Sequence, residues 1–187
     1  QRIPISSIRA AEETTMTTLN PIVRTLLIGL VSSALTVSAH AQQGTAVDVL
    51  ATDIATFINA LPRDAVSDRP IRVVDVGDYR VGVYGVFRPK DFLGGANLHR
   101  VETTEIYYII KGTGTLVTGG QLSDPVESPT NPTSLRGSGV EHGISRRIGP
   151  GDVVVIPGHT AHWWSAIDSD IEHLIFRPDP DNRIPLQ

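Results

Sequence analysis

Three residues in this chain combine donor chemistry with spacing that brings them together: His99, Glu105 and His162. Two imidazoles and a carboxylate can bind one face of an octahedral ion and leave other positions open, a donor set that accepts Fe(II), Mn(II), Ni(II), Cu(II) or Zn(II) without distinguishing between them. The chain has no cysteine, so thiol catalysis and thiolate metal sites are excluded and any metal must sit on nitrogen and oxygen. Glu105 begins a run of Ile and Tyr, where a buried carboxylate without a nearby cation would be costly.

For these side chains to meet, they must lie on extended strands facing one interior. Residues two apart on a strand share a face, which groups His99 with Val101, Glu105 with Tyr107 and Ile109, and His162 with Trp164. Tyr107 and Trp164 are therefore predicted to shape the pocket as substrate contacts, and His142 is a further candidate for substrate contact or proton transfer. His159 is read as a turn residue, since histidine tolerates left-handed backbone, and His173 as structural or surface. Arg100, Arg146 and Arg147 are read as solvated surface.

The pattern around these residues supports a β architecture. From residue 71 onward the chain breaks into short β-rich runs punctuated by Gly and Pro: two strands within 71–87 joined near Gly77 and Asp78, then 106–110, 114–118, 145–148, 153–156, 161–166 and 171–177. Many short strands with turn signals between them indicate an all-β sandwich or barrel. Between Gly120 and Gly143 the sequence carries three prolines and little apolar pattern, which predicts a long loop at the rim, a possible lid. Upstream, apolar residues at helical spacing over 45–61, stopped by Pro62, predict one amphipathic helix against the outside of a sheet.

The N-terminal stretch reads as a targeting segment. After Met16, the expected start, come Arg24, an apolar run over 26–37 and the small residues Ala39 and Ala41, the pattern of a secretory signal peptide cleaved after Ala41. That run is too short for the roughly 20 residues a membrane span requires. The expected organisation is a cleaved segment 1–41, a helix and linker 42–70, a barrel 71–177 and a surface tail 178–187, in a secreted or periplasmic protein with no membrane attachment after cleavage. The formal net charge of −4 argues against nucleic acid as a partner.

Two stretches resemble the motifs of the cupin superfamily. In the first, His99, Glu105, six residues and Gly112 match, while Val101 stands at the second histidine position and Gly94 lies one place late for the leading glycine. In the second, Gly151, Pro157 and His162 match, with His159 in place of a glycine and Ala166 in place of an asparagine. The resemblance implies a double-stranded β-helix (jelly-roll) barrel, one divalent transition metal, a small-molecule ligand and a homodimer. It leaves open a dioxygenase-like enzyme, a metal-dependent isomerase or lyase, and a non-catalytic module that binds a sugar or organic acid.

Overall fold

The computed structural model describes residues 45–186. The signal-peptide expectation for residues 1–41 therefore lies outside the described residues, among which no helix is long and apolar enough to cross a membrane.

Among the described residues, one short helix, α1 (Ala51–Asn59), precedes thirteen strands. In chain order these are β1 (Ser67–Asp75), β2 (Arg80–Arg88), β3 (Ala96–His99), β4 (Glu105–Lys111), β5 (Gly114–Thr118), β6 (Gln121–Ser123) and β7 (Val126–Glu127). They continue as β8 (Ser134–Gly137), β9 (Gly139–Glu141), β10 (Ile144–Ile148), β11 (Val153–Ile156), β12 (His162–Ile167) and β13 (Ile171–Asp179). The strands form a five-stranded sheet in the order β1-β2-β13-β4-β11, a six-stranded sheet in the order β10-β5-β12-β3-β8-β7, and the pair β6-β9. Every pairing is antiparallel.

The core follows from alternation. Along β4, Glu105, Tyr107 and Ile109 point inward and are buried, while Tyr108 and Ile110 face out. Their neighbours on β13 and β12, Ile171, Ile175 and Trp164, complete an apolar cluster with Val86, Leu116 and Ile156. The β1–β2 hairpin turns at Gly77, whose φ of +106° favours glycine and whose amide N–H donates to Asp75 Oδ1 at 2.9 Å.

Helix α1 is shorter than the predicted 45–61. Leu50 provides no side-chain cap and is exposed, so the first turns have neither a capping acceptor nor a packed face, whereas Ile58 and Leu61 are buried. The helix rests on β2 at Gly85, where a Cβ would lie 3.0 Å from Phe57 and 3.1 Å from Ile58.

About half of the stretch predicted as a lid loop is strand. It carries β6, β7, β8 and β9, and β8 pairs with β3, a strand missing from the sequence-derived set. Ser134 and Arg136 on β8 are polar, as are Asn97 and His99 on β3, and all four line a cavity rather than an apolar core. A strand whose inward face meets a polar cavity loses the apolar alternation by which strands are recognised.

Candidate metal centre

The three predicted ligands converge. His99 ends β3, Glu105 opens β4 and His162 opens β12, and one ligand atom from each lies within 4.8 Å of the others. His99 Nε2 is 3.4 Å from Glu105 Oε1, and His162 Nε2 is 3.5 Å from Glu105 Oε2. Ligands bonded at roughly 2.0–2.2 Å to one ion sit on the order of 3–3.5 Å apart, so this donor set fits a divalent transition ion.

The hydrogen bonds behind the imidazoles orient them. His99 Nδ1 lies 2.8 Å from the Ser134 hydroxyl, and His162 Nδ1 lies 3.0 Å from the Thr160 carbonyl. A carbonyl only accepts, so His162 carries its proton on Nδ1 and presents a lone pair on Nε2. Burial lowers the pKa of His162, against the opposing pull of Glu105, which keeps the ring neutral. A neutral lone pair therefore faces a carboxylate oxygen at 3.5 Å, and a cation between them would turn that repulsion into two bonds.

Glu105 is nevertheless not the unpaired carboxylate that the sequence suggested. Arg177 donates to its Oε1 from Nε at 2.8 Å and lies within 2.7 Å of it through Nη2, while Tyr107 donates to Oε2 at 3.0 Å. Burial works against ionisation of Glu105, but the Arg177 guanidinium, and after it the hydrogen bond with His99, outweigh it and hold the group well below the usual carboxylate range. Arg177 also grips Asp68, at 2.6 Å and 3.2 Å, and stacks 4.1 Å over the Tyr84 ring. Sequence reasoning missed this arginine, although the alternation Ile171, His173, Ile175, Arg177 places it inward.

The other candidates separate. Tyr107 is 1% exposed, its phenol held neutral by burial and by Glu105, and it lines the cavity. Trp164 shares the buried face of His162 but packs in the apolar cluster beside His173 and does not line the cavity. His142 is exposed in a left-handed turn at φ +58°, away from the cavity lining; the strand pair β6-β9, in place of a mobile lid, carries the chain elsewhere. His159 does shape its turn, at φ +60°, with Nε2 3.2 Å from Glu102. His173, read as structural or surface, is fully buried, and among the described residues neither ring nitrogen has a hydrogen-bond partner. Arg100 and Arg147 pair with Glu127 and Asp168 outside the cavity.

The cavity in front of His99, Glu105 and His162 has a volume of about 970 Å³ and is walled by β1, β2, β3, β4, β8 and the segment around Arg183. Val101, at the position where a second histidine was sought, lines it too, so the chain supplies an apolar surface there instead of a fourth donor.

The cupin family profile matches residues 90–186, more than half of the chain. The chain is a cupin. Its all-β architecture is the double-stranded β-helix of that family. Solved structures of similar fold include KdgF from Halomonas sp., 16% identical with a TM-score of 0.43, covering 63% of this chain and 82% of that one. The polyketide cyclase RemF from Streptomyces resistomycificus is 17% identical with a TM-score of 0.39, covering 64% and 69%. An RmlC-like cupin from Methanocaldococcus jannaschii is 17% identical with a TM-score of 0.41, covering 73% and 95%. No curated protein matches the chain in sequence.

Proposed function

We propose that this cupin is an exported metal-dependent enzyme, dioxygenase-like, in which His99, Glu105 and His162 hold one divalent transition ion against a cavity that admits a small organic substrate. The observation that carries the reading is His162 Nε2 facing the Glu105 carboxylate at 3.5 Å while its Nδ1 lies 3.0 Å from the Thr160 carbonyl. A bound ion would supply Lewis acidity and, for iron, oxygen chemistry at positions open to the cavity. Ser134 and Thr160 orient the imidazoles, and Tyr107 donates a hydrogen bond to Glu105.

Export belongs to the same proposal, with cleavage after Ala41 placing the barrel outside the cytoplasm. So does pairing of two copies, for which the exposed Val153 and Val155 on the edge strand β11 offer an apolar face. Light scattering reads that state directly.

Elemental analysis of the protein beside a His162→Ala variant tests the metal centre. About one transition ion per chain in the parent and a loss in the variant is the expected result, and iron-dependent oxygen uptake selects the dioxygenase-like reading. A second reading, a non-catalytic ligand-binding module, draws support from Val101 and from Arg177 already engaging Glu105 Oε1. Absence of metal from both proteins, with tight binding of a sugar or acid, would put it first.

A further inference from the structure

The cavity carries a charge opposite to that of the chain. Five arginines line it, Arg69, Arg88, Arg136, Arg177 and Arg183, against only two acids, Asp68 and Glu105, although the whole sequence has a formal net charge of −4. Both acids are already held by Arg177. Arg183 has Asp181 at 3.0 Å, and Arg69 and Arg136 are exposed. Arg88 differs from all of these. It ends β2 at the cavity wall, half-buried, with its Nε fully withdrawn from solvent, and among the described residues its side chain forms neither a hydrogen bond nor an ion pair.

A guanidinium whose Nε–H has lost water without gaining an acceptor is a cost to the folded state. The five N–H groups of arginine form a rigid planar fork that matches a carboxylate two bonds at a time. No helix N-terminus among the described residues faces the cavity to hold a phosphate, since α1 packs outside on β2, although Gly94 and Gly95 lie in the wall.

We propose that Arg88 is the anchor for a carboxylate of the substrate, so that the cavity takes a small organic acid as its anion. This rests on reading the cavity as the substrate site, and it specifies which class of molecule that site selects. The bound carboxylate supplies the acceptor that Arg88 Nε lacks, and the surrounding arginines raise the local concentration of anions at the mouth.

The test uses isothermal calorimetry on the full chain with oxalate, succinate, benzoate, benzamide and inorganic phosphate as probes, and metal content measured on every sample. The parent protein is expected to bind at least one of the three carboxylates, to prefer benzoate over benzamide if benzoate is the one bound, and to bind phosphate more weakly. Arg88→Gln should weaken carboxylate binding by about tenfold or more with metal content unchanged, and Arg88→Lys should restore part of it. No carboxylate binding by the parent, tighter binding of phosphate or benzamide, or undiminished carboxylate affinity in Arg88→Gln would each overturn the assignment. Carboxylate binding that depends on Arg88 in protein devoid of metal would uphold the anchor while removing the metal centre. Metal-loaded protein indifferent to Arg88 would do the reverse.

Discussion

Replacing Arg177 with methionine isolates what holds a buried carboxylate in this barrel. Glu105 is 3% exposed and takes both short contacts to its Oε1, at 2.7 Å and 2.8 Å, from that one guanidinium. Asp68 loses its partner too, but its side chain is 33% exposed and water can take over. The cost is therefore concentrated at Glu105, and removing one member of a buried ion pair typically costs about 3–5 kcal/mol. For a domain of this size, that corresponds to a melting temperature lower by about 6–20 °C.

Calorimetric melting of metal-free parent and variant at pH 7 reads the difference. The sign with pH is also set. In the parent, Glu105 is depressed, so its contribution is present above the ordinary carboxylate range and is lost only as pH falls through the lower folded value. In the variant burial dominates and raises the group, which gains stability as it protonates, so the deficit should shrink on acidification towards pH 4.5. Saturating Zn(II) should shrink it at pH 7 by replacing the lost cation. A deficit below about 1 kcal/mol, or one unchanged by both acid and zinc, would refute the reasoning.

Ser134→Ala should weaken metal binding by about 10–100-fold, because the hydroxyl 2.8 Å from His99 Nδ1 orients that ligand; a chelator competition titration measures it. His173→Leu should leave stability unchanged or raise it, since the imidazole is buried with no partner for either nitrogen. Burial, then Arg88, holds the pKa of His173 well below its ordinary value, so the parent loses stability as pH falls from about 6.5, and the variant should show a shallower loss in melts between pH 7.5 and 5. Gly112→Ala should cost about 2 kcal/mol or more in thermal denaturation, because φ there is +82° and a methyl group would collide with the Asp170 carbonyl.

The strands with clean alternation were legible from the chain alone. The runs 114–118 and 153–156 coincide with β5 and β11, and the inward set Glu105, Tyr107 and Ile109 follows from a two-residue period in a strand with one apolar face. Strands β3, β6, β7, β8 and β9 were not legible, being two to four residues long, polar, and punctuated by Pro and Gly. At the centre, the motif spacing identified His99, Glu105 and His162, and the structure brings their ligand atoms together. It separates His142 and Trp164 from the cavity, because a two-residue period specifies a side of a strand and not its distance along the barrel.

The sequence by itself determined the donor chemistry, the absence of thiols, the β character of the chain and the register that turns Glu105 inward, all of which depend on residue type and short-range periodicity. Only the tertiary structure decided which charge Glu105 meets. Arg177 is 72 residues away in sequence and becomes its neighbour because β13 pairs beside β4, just as Ser134 reaches His99 because β8 pairs beside β3. Such pairings are long-range contacts between strands, and the electrostatic state of a buried group is the sum of the partners they deliver.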